Sequence, residues 1–405
     1  LMLALPRAVS AQCADNTQGR DFWLTFLRNM LPDSPTEELS LVAVGDPATV
    51  VYVYVNGTMM MAGPIGTTGW RKYVLTPQAS FYPSCHGVVQ NLGTHVTATD
   101  NISLYALNFM TWSYDATIVL PTTALDTDYV VQSYPMQEGA DLPVVAGSLV
   151  GFVATEDSTT LTMTLPCAAR NGSNNIIVDS GAQHTVTLNQ GQTYQLHSDR
   201  FLTFSGMRVT SNGKPFACFQ GTGCANVPIH YDSTICGACD HLYEQALPLK
   251  FWGKTFVAVP TAQHPNGDIA LVTSSADSCV VTIDGIIIDT LATAGTLQLN
   301  IGSNAAHMIH TSQPATVGLY MKGEDCAGGV GDPAAVMIPP VEQGIQRVSF
   351  NAFRSNGTQF HYVNLVIRTV DTADMRLDGE PLDTTWNPLP SGYSWLQLPV
   401  RPGTH

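Results

Sequence analysis

Residues 93–133 read GTHVTATDNISLYALNFMTWSYDATIVLPTTALDTDYVVQS, and their pattern returns along the chain. A Gly-Thr-His ends one strand, a polar Thr-Asp-Asn turn follows, and an alternating strand runs over residues 102–109. A loop, the pair Leu120-Pro121 and a tyrosine strand at 129–131 complete the stretch. Side chains that alternate with period two mark half-buried β strands.

Outward from this stretch, the chain divides into related units. The first unit opens at Phe22-Trp23-Leu24-Thr25-Phe26 and carries a strand at 49–55 into Asn56-Gly57. Asn-Gly between apolar runs is a strong hairpin signal, because both turn residues need positive φ. Equivalent tips fall at Asp284-Gly285 and Asp378-Gly379, with Leu165-Pro166 in the same place in the second unit. Units starting near Phe22, Tyr129, Phe256 and Phe350 are spaced by 107, 127 and 94 residues. That is the size of a β-sandwich domain. The division is a segment 1–18, β units at 19–128, 129–254 (with a Cys-rich loop) and 255–347, and a fourth at 348–405. Only residues 36–39 and 242–247 fit a turn or two of helix. The fold class is all-β, with about four tandem β-sandwich-like units. Generic Val/Thr-rich strands are the bland alternative, but several features recurring in order favour true repetition.

Composition narrows the function. Charged residues make up 12% and hydrophobic ones 44%, which suits sheet and opposes disorder. The net charge of -15, with 17 basic against 32 acidic residues and no Lys/Arg cluster, opposes nucleic-acid binding. Residues 1–11 (LMLALPRAVSA) resemble the end of a secretory signal, and no other run is apolar and long enough to span a bilayer. Sequons at Asn56, Asn101, Asn171 and Asn356 make N-linked glycans expected partners. Nine cysteines in an exported chain read as disulfides first. The candidates are Cys13 with Cys85, Cys279 with Cys326, and Cys224, Cys236 and Cys239 stapling a long loop.

The chemical alternatives are weaker. Cys224, Cys236, Cys239 and His241 contain a Cys-x2-Cys spacing suited to zinc, but the secreted context favours disulfides. Asp240, His241, Glu244 and Gln245 form a polar cluster without a nucleophile motif, so a structural role in an irregular loop is preferred to acid–base work. His95, His307 and His405 occupy equivalent repeat positions, which fold explains better than catalysis. No enzyme activity, cofactor or metal is expected.

The run CDHLYEQALPLKFWGKTFVAVP (239–260), preceded by FQGTGCANVP (219–228), resembles the amino-terminal domain of the IgG-Fc-binding protein family. GRDFW (19–23), GDPAAVMIPPVEQ (331–343) and the closing SGYSWLQLPVRPGTH agree with it. The resemblance implies an extracellular, mucus- or surface-associated module for adhesion or structure, without known catalysis.

Gly93-Thr94-His95 is followed by a turn and a strand, whereas no residue follows Gly403-Thr404-His405. The fourth unit is therefore expected to lack its closing strand, while the apolar segment around Leu1, Leu3, Leu5 and Val9 belongs to no unit. Donation of that segment to the gap beside His405 in another copy would build a homopolymer, a rigid extracellular fibre. A monomeric adhesion module for protein or glycan is the alternative.

Overall fold

The computed structural model describes residues 17–30, 38–111, 113–136, 147–171, 173, 175–229, 236, 239–303, 305–329, 331–352 and 360–405. Leu1, Leu3, Leu5, Val9, Cys13 and Asn356 lie outside the described residues. The described chain is almost entirely β. Its single α-helix among those residues is the short Glu324–Ala327.

One long strand organises the first group. Thr94–Met110 begins against Gln18–Leu24 (Phe22 opposite Val96) and Val50–Val55. It ends against Glu38–Gly45 and Ser113–Val119. The expected turn at Thr99-Asp100-Asn101 instead lies within this continuous strand, and Gly-Thr-His opens it rather than closing another. The reason is the change of partners: residues 94–98 pair with Val50–Val55 and residues 102–109 with Glu38–Gly45, so the backbone stays extended while its ladder switches. His307–Tyr320 repeats the arrangement in the third group, first against Gly253–Ala258 and Cys279–Ile283, then against Asp268–Ser274. In the second group the equivalent path is split into Arg208–Ser211 and Phe216–Ala225, on separate sheets.

The hairpin tips follow their local chemistry. Asn56-Gly57, Asp284-Gly285 and Asp378-Gly379 all have positive φ at both residues, as a type I′ turn demands. The two longer hairpins also share a bulge. Tyr54 faces Met59 and Val53 faces Met61, while Thr282 faces Ile287 and Val281 faces Asp289. The repeated histidines carry the same relation further. His307 Nδ1 bonds Asp284 Oδ2 at 2.7 Å, and His405 Nδ1 bonds Asp378 Oδ2 at 2.8 Å. His95 turns to Asp21 (2.8 Å) and stacks on Trp23.

Apolar packing joins the groups. Leu149, Val153, Phe219 and Tyr243 of the second group share one core with Phe22, Leu24, Phe26 and Leu27. Tyr134 and Leu242 pack with Ile269 and Tyr320 of the third group. Val257 and Val259 meet Val366 and Trp395 of the fourth. The fourth also touches the first, where Thr404 Oγ1 donates to Thr68 O (3.4 Å) and Ser103 Oγ to Ser349 O (3.5 Å). The fourth group thus contacts the first as well as the third.

Candidate functional site

The most distinctive run, Asp240–Gln245, is a strand, not the helical turn or irregular loop its composition suggests. Leu242 and Tyr243 are both buried, so both faces are covered and the period-two signal disappears. In backbone ladders among the described residues this strand pairs only with Phe216–Ala225. Its free side lies along Ser113–Val119 of the first group, itself paired only with Thr94–Met110.

Side chains supply the missing ladder between these two edges. The backbone N–H groups of His241, Tyr243 and Gln245 donate to Ser113 Oγ (3.1 Å), Asp115 Oδ2 (2.9 Å) and Thr117 Oγ1 (2.8 Å). Both series ascend by two, so the strands run parallel. In return, Tyr114 N donates to Asp240 Oδ1 (2.7 Å) and Leu120 N to Gln245 Oε1 (2.7 Å), and Thr117 Oγ1 donates to Glu244 Oε2 (2.9 Å). Sheet-edge groups that need partners thus obtain them across the group boundary. Gly221 is part of the same construction, because a Cβ there would sit 1.8 Å from Leu242 O. Glycine lets the two backbones approach.

The electrostatics suit a seam more than a reaction centre. His241 is buried, with Nδ1 against Thr222 O (2.9 Å) and Nε2 against Asn108 Nδ2 (3.2 Å), and burial holds it down to about 4. It is neutral and fully bonded. Burial, then the nearby Asp332 charge, pushes Asp240 up to about 9. Burial pushes Glu244 up to about 8, and burial with the Glu244 charge holds Asp115 well above its usual range. No group of three or more potential metal ligands occurs among the described residues.

Two disulfides flank the seam, Cys224–Cys239 and Cys236–Cys326. Cys279 is not the partner of Cys326. It lies buried in the third group's core beside Phe256, Val272 and Val281, whereas Cys326 sits in the short helix and bonds Cys236. Cys85 is half-buried and unbridged, and its expected partner Cys13 is outside the described residues. Cys218 is a buried thiol. Asn56 and Asn101 are exposed. Asn171 is half-buried, and its Oδ1 accepts from Ser173 N and Asn175 N (both 3.0 Å).

The second notable place is the middle strand of the fourth group. Glu38–Gly45, Ser148–Ala154 and Asp268–Ser274 each have a neighbour on both sides. Their counterpart His361–Arg368 pairs with Tyr393–Val400 alone among the described residues. Every residue of Asp268–Ser274 is buried, and none of His361–Arg368 is. Gly403–Thr404 pairs with Asn351–Ala352, as the start of the long strand does in the first and third groups.

A family model described as IgGFc binding protein matches residues 115–405. The chain belongs to the IgGFc binding protein family. It is 26% identical over 251 residues to the Homo sapiens IgGFc-binding protein, covering 59% of this chain and 4% of that relative. The chain thus spans a small fraction of that relative's length. Among solved structures, a Bacteroides Uniformis beta-glucuronidase overlaps 64% of this chain and 30% of its own at 10% identity and a TM-score of 0.14. An anti-sigma factor domain-containing protein overlaps 72% and 97% at 9% identity and a TM-score of 0.15. Overlaps so slight carry no argument.

The IgGFc binding match includes the seam strand Asp240–Gln245, both disulfides and His361–Arg368 of the fourth group. Sequence reasoning missed the partner of the seam strand. The signal was present as the polar alternation Ser113-x-Asp115-x-Thr117, which places three acceptors on one strand face. No described helix is long and apolar enough to cross a membrane.

Proposed function

We propose that this member of the IgGFc binding protein family is an extracellular module for protein binding and assembly, and that its fourth group accepts a β strand from another molecule. The observation that carries the reading is the single neighbour of His361–Arg368 among the described residues, where three counterparts have two. An unpaired strand edge presents a row of backbone donors and acceptors, the requirement for strand addition. The proposed donor is the segment at residues 1–11 of a second copy, whose Leu1, Leu3 and Leu5 alternate as one face of a strand. Head-to-tail donation does not close on itself and gives a homopolymer. Two disulfides and exposed sequons at Asn56 and Asn101 support an oxidising, glycosylating compartment.

A second reading rests on the small share of the human relative that the chain spans. There the module is one part of a larger adhesion protein, and the strand comes from the same polypeptide. Size-exclusion chromatography with light scattering separates the two. Strand donation gives concentration-dependent polymers that revert to monomers on deletion of residues 1–11, with the β signature in circular dichroism retained. A chain that is monomeric at every concentration overturns the donation reading.

A further inference from the structure

We propose that the seam between Ser113–Val119 and Asp240–Gln245 is a pH-responsive joint, closed in acid and loosened as pH rises. The seam bonds set Asp115 Oδ2 on Tyr243 N, Asp240 Oδ1 on Tyr114 N and Glu244 Oε2 on Thr117 Oγ1, so carboxyls from both strands lie along one joint. Asp240 is 2% exposed, and Asp115 and Glu244 are half-buried. The charges that reach them belong to other acids: Glu244 acts on Asp115, and Asp332 with Asp115 acts on Asp240. Asp332 in turn faces Glu324 of the short helix. The other titratable neighbours are His241 and Tyr243 on the same strand and Tyr320 from the third group, the imidazole held low and both phenols held high by burial, with Tyr134 of the second group beside Tyr320. No lysine or arginine balances the cluster among the described ion pairs. Beside Glu244 lies a cavity of about 10 Å³, lined by Gln132, Gln220 and Tyr320. It has room for about one water, too little to hydrate a new charge.

A protonated Asp240 or Glu244 keeps its seam bond through its carbonyl oxygen, since Tyr114 N meets Asp240 Oδ1 and Thr117 Oγ1 meets Glu244 Oε2, whereas Asp115 accepts on both oxygens, from Ala116 N (2.8 Å) and Tyr243 N (2.9 Å). Ionisation places like charges on facing strands and favours separation. The direction of linkage follows. Each group's folded value lies above its ordinary one, so its stabilisation is complete below about pH 4. It is lost as pH rises through about 8 for Glu244 and about 9 for Asp240. Cys224–Cys239 and Cys236–Cys326 keep the seam strand tethered, so a loosened joint can close again.

The test is Asp240→Asn, which keeps an acceptor for Tyr114 N but cannot ionise. Urea midpoints are measured at pH 5 and pH 8 for wild type and variant. A single group in this window changes the unfolding constant by up to about tenfold per pH unit. Because the unfolded carboxyl ionises above about pH 4, the variant is expected to exceed wild type slightly at pH 5 and by far more at pH 8. A purely structural role predicts equal loss at both values. A variant as pH-sensitive as wild type, or weaker at pH 8, overturns the proposal. Carbon NMR of the wild-type carboxyl groups gives an independent reading. The expected result is titration of seam carboxyls above pH 7, and titration of all of them near pH 4 contradicts it.

Discussion

Removing the two disulfides one at a time is expected to give unequal losses of stability, in an order set by the loops they close. Cys236–Cys326 spans 90 residues and Cys224–Cys239 spans 15. In the chain-entropy model the unfolded state loses 2.1 + 1.5R ln n in cal/mol/K, so the longer loop contributes about 4.6 kcal/mol and the shorter about 3.0 kcal/mol at 25 °C. The shorter bridge lies inside the second group and restrains a strand already held by its ladder to Phe216–Ala225. The longer one joins the second group to the third. Paired Cys-to-Ser variants followed by tryptophan fluorescence in urea measure both. The Cys236/Cys326 pair should lose about 1.6 kcal/mol more than the Cys224/Cys239 pair. The reverse order would falsify the entropic account and place the main restraint at the seam itself. Losses below about 1 kcal/mol for both would show that neither bridge limits unfolding.

Two further perturbations probe packing and the repeated histidines. Gly221→Ala drives a Cβ into Leu242 O at 1.8 Å, a backbone atom that cannot rotate away. The expected loss is about 1–3 kcal/mol in urea unfolding, together with faster hydrogen exchange in Asp240–Gln245. At His405, partial burial pushes the imidazole down, but its bonds to Arg401 O and Asp378, with that carboxylate's charge, leave it raised. The stability this adds is therefore full below the usual histidine range and is lost as pH rises through the raised value. Asp378→Asn should return the imidazole towards about 6.5 by proton NMR, and an unchanged titration would show that the Asp378 bond does not form in solution.

The parts of the structure legible in sequence are those set locally. Asn56-Gly57, Asp284-Gly285 and Asp378-Gly379 announce hairpins because positive φ is a property of the turn residues themselves. The recurring Gly-Thr-His is legible as a repeated triplet. Its role is not, because residues 94–110 look like two strands until both sets of partner strands are present to pair with them. The bond between Cys236 and Cys326 depends on how the third group docks against the second, which no spacing encodes. The seam is legible by halves. Ser113, Asp115 and Thr117 alternate visibly, but their partners, the N–H groups of His241, Tyr243 and Gln245, are backbone and leave no trace in residue type. Buried on both faces, Asp240–Gln245 lacks the alternation that would have marked it as a strand.

The most direct test of strand acceptance is amide hydrogen exchange across His361–Arg368 at low and high protein concentration, in the full chain and in one lacking residues 1–11. The account predicts strong protection at high concentration in the full chain alone, because only there does a second strand cover the open edge. Equal exchange in all four samples would contradict it.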